Sequence, residues 1–209
     1  MSVITYMLLH NYLEDLLQRK VIIRVVRTLL HYPGKIFTVR KLAEAAGASV
    51  SETAVVVQDL EKYGILTIQP VGKAYLVSLN DRSYILNKVL KPLLTAEERT
   101  QSELFEVLKM HLTNTAIASA SVFGSVASKQ ARKDSDIDIL IVSDCFEQAS
   151  ASVSRAQDDV TSIFNGRLSP LIVSRTELKM KQRSPLFKSI METYMHVAGK
   201  DLKKIGSAR

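Results

Sequence analysis

Residues 136–142 read Asp-Ile-Asp-Ile-Leu-Ile-Val, two carboxylates one residue apart at the head of a run apolar enough for a buried strand. Side chains alternate along a strand, so Asp136 and Asp138 share one face while Ile137 and Ile139 share the other. Two ionised carboxylates on one partly buried face repel each other and lose hydration. A divalent cation removes both penalties, and Mg2+ commonly takes one or two carboxylates together with phosphate oxygens. The same stretch offers a place for phosphate. Gly124 follows the apolar run Ala116–Phe123 and lets backbone approach closely, and Ser125 adds a hydroxyl. Amides opening a helical turn at Ser125 face an anion favourably. Gly-Ser, ten residues, then Asp-x-Asp inside a second apolar strand therefore points to a metal-bound nucleotide. The competing reading is a Gly-Ser turn followed by an edge strand with two solvated aspartates.

The flanking pattern has βαβ character: strand Ala116–Phe123, helical turn Ser125–Gln130, strand Asp136–Val142, helix Ala151–Phe164 and strand Leu168–Ser174. Ser174 and Glu177 have capping-box spacing for a further helix. The segment from about Ala116 to Leu202, including the closing Ser184–Leu202, resembles the minimal nucleotidyltransferases of the DNA polymerase beta superfamily. The resemblance implies that Gly124 and Ser125 hold the triphosphate of an NTP, ATP foremost, and that Asp136 and Asp138 bind Mg2+ and are catalytic. In that family a third carboxylate on the next long strand helps to activate the attacking group. Here Ser169 and Pro170 stand where it is expected. Asp158 and Asp159 fall on the preceding helix and read as a solvated face, and Glu177 reads as a cap. Lys129 occupies a position where the family often has glycine. With Arg132 and Lys133 it either reaches phosphates or forms a solvated basic loop.

The front half has a different pattern. Apolar spacing over Ile4–Leu30 is helical, and His31–Lys35 breaks it with Pro-Gly turn chemistry. Thr38 and Gly47 bracket a short helix, Ser49 and Glu52 open another that stops at Gly64, and Ile65–Leu79 reads as a hairpin. This order spells a winged helix-turn-helix. Leu16–Asn80 resembles the winged-helix transcriptional regulators found fused to such nucleotidyltransferase domains. Candidate base-edge contacts are Ser51, Thr53 and Gln58, and candidate phosphate contacts are Lys35, Arg40, Lys41 and Lys73. The second helix of the motif has no Arg, so bidentate guanine readout is missing. Val55, Val56 and Val57 cannot all face the core, which leaves one for thymine methyls or a protein. A winged helix used for dimerisation or docking is the alternative.

Charge agrees with an anionic partner. The chain of 209 residues carries a net +7, and residues 1–95 hold 12 Lys/Arg against 7 Asp/Glu. One cysteine, Cys145, excludes a disulfide framework and reads as a packing residue, and the four histidines lack metal-ligand spacing. No apolar run is long enough to span a bilayer and the N-terminus does not read as a signal peptide, so a cytoplasmic protein is expected.

The expected fold is α+β. It comprises a winged helix over residues 1–80, a helical connector over 81–114 and a small α/β nucleotidyltransferase-like domain with a mixed sheet over 115–209. Within the connector Pro92 is expected to interrupt a helix over Arg82–Lys91. Thr95 and Glu98 would then open a second one from Ala96 to Leu112. The expected function is Mg-NTP binding with nucleotidyl transfer to a small molecule or a protein hydroxyl, such as that of a cognate toxin, with the winged helix on DNA. The alternative is a DNA-binding regulator whose second domain is a catalytically silent nucleotide sensor. The first helix and Ile85, Val89 and Leu93 offer apolar surface for a homodimer.

Overall fold

The computed structural model describes residues 11–72 and 74–206. The chain divides into two compact units, Met1–Glu98 and Arg99–Arg209.

In the first unit, helices α1 (Tyr12–Leu17) and α2 (Lys20–His31) lead to strand β1 (Phe37–Thr38), helices α3 (Val39–Ala46) and α4 (Val50–Lys62), and strands β2 (Leu66–Val71) and β3 (Ala74–Leu79). The local signals act as their chemistry requires. The Thr38 hydroxyl accepts from the Lys41 amide at 3.3 Å and the Ser49 hydroxyl from the Glu52 amide at 3.2 Å. Gly47 ends α3 in the left-handed region. β2 and β3 form an antiparallel hairpin, and β1 pairs with β3, giving the order β1-β3-β2. Val25, Val26 and Leu29 of α2, Leu42 of α3, Val56, Val57 and Leu60 of α4, and Val77 of β3 close one core. The single helix expected over Ile4–Leu30 is broken between α1 and α2, and its first residues lie outside those described.

Pro92 does not interrupt the chain's long helix. A π-helical turn over Leu86–Leu90 passes directly into α5 (Lys91–Leu112). The Lys91 amide reaches back five residues to the Leu86 carbonyl, so the turn is wider than an α-turn. That widening relieves the clash that a proline ring makes with the carbonyl four residues earlier. Thr95 consequently lies inside α5 rather than capping a new helix. Ile85, expected on an apolar outer surface, is buried in the first core, whereas Leu93 is exposed.

The second unit contains β4 (Ser119–Val122), α6 (Gly124–Ala127), β5 (Ile137–Val142), α7 (Phe146–Phe164), β6 (Leu168–Val173), α8 (Arg175–Lys181), α9 (Pro185–Glu192), β7 (Met195–Gly199) and α10 (Leu202–Gly206). The sheet order is β6-β5-β4-β7, with β5 and β6 parallel and β4 antiparallel to β5 and β7, so the sheet is mixed. Strand alternation then sorts the side chains of β5. Ile137, Ile139 and Ile141 pack with Leu104, Leu108 and Leu112 of α5 and with Ala149, Val153 and Val160 of α7. Leu140 and Val142 pack with Leu178, Phe187, Ile190, Leu202 and Ile205 from α8, α9 and α10. Each buried Leu or Ile contributes roughly 2 kcal/mol, so the two faces together lock the register of β5. The capping box of Ser174 and Glu177 is formed on both sides. Within the closing Ser184–Leu202 segment, β7 pairs with β4 and forms a sheet edge.

Both strand prolines lie on outer strands, Pro70 in β2 and Pro170 in β6. At the end of β7, Gly199 has φ +76°, and an added Cβ would meet the Ala118 carbonyl oxygen at 2.5 Å. Gly199→Ala is therefore expected to destabilise the protein by about 2–4 kcal/mol, read from the urea midpoint at unchanged slope.

Candidate functional site

The candidate site sits where β4 turns into β5. The Phe123 amide donates to the Asp138 carbonyl at 2.9 Å, which ties the start of α6 to the start of β5. Gly124 adopts φ +69°, and a Cβ there would run into Oδ2 of Asp138 and lie 3.2 Å from its Cγ. Only glycine lets the backbone come this close to that carboxylate. Ser125 follows, half-buried, and the first-turn amides have no intrahelical acceptor. Lys129 has φ +59°, the left-handed conformation that glycine adopts most readily. The structure thus brings Gly124, Ser125 and Asp138 together around one turn.

Asp136 precedes β5 and is half-buried, as is Asp138, while Ile137 between them is buried. The pair therefore shares one face, as alternation requires. Asp136 is not unpaired, however. Arg167, the residue before β6, donates from Nε to Asp136 Oδ1 at 2.8 Å and from Nη2 to Oδ2 at 2.7 Å. This forked bond is the strong, planar form of the interaction. The Arg167 guanidinium holds the Asp136 carboxyl below its ordinary range, and Asp136 in turn raises the Arg167 guanidinium. A single sequence reveals this partner only through register: β5 and β6 are parallel with Ile137 opposite Leu168, which sets residue 136 beside residue 167.

The same register places Ser169 beside Asp138. Adjacent strands lie about 4.8 Å apart, so residue 169 is the neighbouring position at which a carboxylate would join the pair. Among the described residues no group of three or more His, Cys, Asp or Glu side chains could hold a metal ion. A metal at Asp136 and Asp138 would complete its shell from water and phosphate, which suits Mg2+. The two carboxylates and the glycine-lined approach beside Asp138 fit such a group once Arg167 releases Asp136. Of the other acids, Asp159 does not merely face solvent, because Oδ2 lies 2.6 Å from Nε2 of the half-buried His111.

On the first unit, Ser51 and Gln58 of α4 are exposed, as are Lys35, Arg40 and Lys41. Lys35 Nζ lies over the Tyr32 and Phe37 rings, at 4.7 and 4.9 Å from their centroids. Lys73 lies outside the described residues. Thr53, expected at a base edge, is fully buried with no hydrogen-bond partner for Oγ1 among the described residues. Its place on α4 is one turn before Val56 and Val57, so it shares their inward face. Val55 is the valine left half-exposed.

The topology and the carboxylate strand define a nucleotidyltransferase fold in the C-terminal part of the chain. Residues 102–192 match the family model of the nucleotidyltransferase domain. No curated protein matches the chain. Among solved structures, the chain is similar to the AntR antimony-specific transcriptional repressor, with 20% identity, 44% of this chain and 78% of that chain covered, and a TM-score of 0.37. It is similar also to a toxin–antitoxin structure with AMP-PNP, at 11% identity, 51% and 81% coverage and a TM-score of 0.35. TrmBL2, an archaeal chromatin protein, is similar over 85% of this chain and 73% of its own, at 18% identity and a TM-score of 0.29. At these TM-scores the three likenesses carry no argument, and the assignment rests on the family model and the sheet. No helix among the described residues is long and apolar enough to cross a membrane.

Two outcomes check this geometry. In Arg167→Gln the Asp136 carboxyl returns toward its ordinary range, followed by carboxyl-carbon NMR titration. A depressed carboxylate stabilises the fold above its unfolded-state pKa, and that stabilisation is lost as pH falls through the folded value. Removing Arg167 therefore abolishes this pH-linked stabilisation, so wild type and variant are expected to differ above the unfolded-state pKa and to converge as pH falls. Thr53→Val removes a buried hydroxyl that has no partner, so stability is expected to hold or rise by up to about 1 kcal/mol in urea denaturation.

Proposed function

We propose that this chain is a DNA-binding regulator whose nucleotidyltransferase-fold domain binds an NTP, ATP foremost, together with Mg2+. The observation that carries nucleotide binding is the seating of Gly124 against the Asp138 carboxylate, with Asp136 on the same face. Asp136 and Asp138 would hold the metal. Bound there, Mg2+ supplies positive charge that neutralises the carboxylate pair and the phosphates. The Gly124 and Ser125 amides and the Ser125 hydroxyl would receive phosphate oxygens, and Lys129 would add a cation. Arg167, freed from Asp136, presents a planar donor fork suited to phosphate. Asp136 thus exchanges one cation for another when the nucleotide arrives.

Ser169 beside Asp138 favours sensing over transfer, because no third carboxylate stands ready to take a proton from an acceptor hydroxyl. Transfer to a protein hydroxyl, such as that of a cognate toxin, or to a small molecule is the second reading. The retained Asp136/Asp138 pair is compatible with both readings, since a sensor can also keep the metal. For the first unit, three helices and a hairpin edge support a winged helix-turn-helix. In that reading α4 enters the major groove with Ser51, Gln58 and the half-exposed Val55 toward the bases. Arg40, Lys41 and Lys73 then meet phosphates, with Lys35 held over its aromatic pair.

The test supplies α-labelled NTPs and Mg2+ to the full chain, with and without host lysate, beside Asp136→Asn/Asp138→Asn. Nucleotide affinity is expected to fall about a hundredfold in the double variant. Binding without label transfer fits the regulator. Label transferred to an acceptor and lost in the double variant makes the protein a transferase. Failure of the wild type to bind any NTP sinks both. On duplex DNA, Arg40→Ala/Lys41→Ala is expected to weaken binding and lower the salt slope by about 2.

A further inference from the structure

A cavity of about 460 Å3 opens in the second unit at the end of the sheet away from the carboxylate pair. Its floor includes Ile117, Ala118 and Ile205, and its rim carries Arg175, Lys179, Lys200 and Lys204. Ala118 donates its amide to the Val142 carbonyl, whereas Phe123 donates to Asp138 at the other end of β5. The four-residue step along β5 from Asp138 to Val142 spans about 13 Å, so the cavity is separate from the proposed Mg-nucleotide site.

Among the described residues, the charges around it are only partly balanced. Arg175 pairs with Asp144 at 2.9 Å. Among the described residues, Lys179, Lys200 and Lys204 have no ion-pair partner, and no acid lines the cavity. The acids nearest in sequence are committed elsewhere. Asp201 accepts from the Tyr194 hydroxyl and the Lys203 amide, both at 2.9 Å. Glu177 caps α8 through the Ser174 amide and faces Lys181. Arg175 and Lys179 stand four apart on α8, and Lys200 and Lys204 stand four apart across the entry to α10. Like charges at these spacings repel. Three lysines without an ion-pair partner among the described residues, and the Asp144-bound Arg175, therefore line the rim of an apolar floor, an arrangement that a bound polyanion stabilises. The volume lies within the range of small-ligand pockets, which combine apolar lining with a few placed charges.

We propose that this cavity is a second, metal-independent binding site for a phosphate-bearing small molecule of about mononucleotide size. The phosphates meet Lys179, Lys200 and Lys204, and the apolar or planar body rests on Ile117, Ala118 and Ile205. This site does not depend on Asp136 or Asp138.

Calorimetric titration of the full chain with pyrophosphate and with ADP, in the presence of a chelator, tests the proposal. Both ligands are expected to bind saturably, ADP the tighter because it also covers the floor. Asp136→Asn/Asp138→Asn is expected to leave both affinities unchanged. Lys179→Gln/Lys204→Gln is expected to weaken both by about tenfold per lysine. Thr115→Trp, at an exposed position of the lining, keeps every charge but narrows the cavity, and is expected to weaken ADP more than pyrophosphate. The proposal is overturned by no saturable binding at millimolar ligand, or by binding that ignores the lysine changes. Lysine-dependent capture of single-stranded DNA as tight as that of ADP also overturns it, since the lysines would then form a nucleic-acid surface.

Discussion

One backbone hydrogen bond organises the candidate site: the Phe123 amide to the Asp138 carbonyl. It closes the turn between β4 and β5 on the carboxylate strand itself, so the amides that open α6 and the acids cannot drift apart without breaking the sheet. The bond holds because β5 is fixed in register from both faces, by the isoleucines against α5 and α7 and by Leu140 and Val142 against α8, α9 and α10. A one-residue slip of β5 would turn Asp136 and Asp138 into the core formed with α5 and α7 and the three isoleucines onto the face that packs against α8, α9 and α10. The apolar core therefore sets the position of the polar site.

The elements that local chemistry dictates were legible in the chain. Thr38, Ser49 and Ser174 cap helices because their hydroxyls satisfy amides that no helix can satisfy internally. The alternation of Asp136-Ile137-Asp138 placed both acids on one face before any partner strand was known. What was not legible depends on neighbours distant in sequence. Arg167 is an ordinary surface arginine until parallel register sets it beside Asp136. Thr53 looks like a groove-facing polar residue, yet helical phase places it with Val56 and Val57 in the core. The helix runs through Pro92 because a widened turn accommodates the ring, and nothing in the sequence of Leu86–Leu90 announces that turn. β7 is not announced in the sequence, because an edge strand of five residues needs only one partner.

The site carries its own replacement for the ligand charge. With no cation beside it, a carboxylate in this position would repel its neighbour, and Arg167 answers that need while leaving its guanidinium mostly exposed. The internal arginine balances this surface, and any external cation at Asp136 would have to compete with it. In the proposed reading, nucleotide affinity would be a difference between two ion pairings and would depend on the strength of the fork as much as on the metal.

The two strand prolines have a consequence for assembly. A proline cannot donate to a neighbouring strand, and both lie on sheet margins, Pro70 in β2 and Pro170 in β6. Those margins resist extension by another chain. The opposite margin of the first sheet, β1, has only two residues. Among the described strands this leaves β7, with five residues and no proline, as the margin best able to accept an added strand. Self-association by continued pairing is thereby steered to one border of the second unit and away from the others.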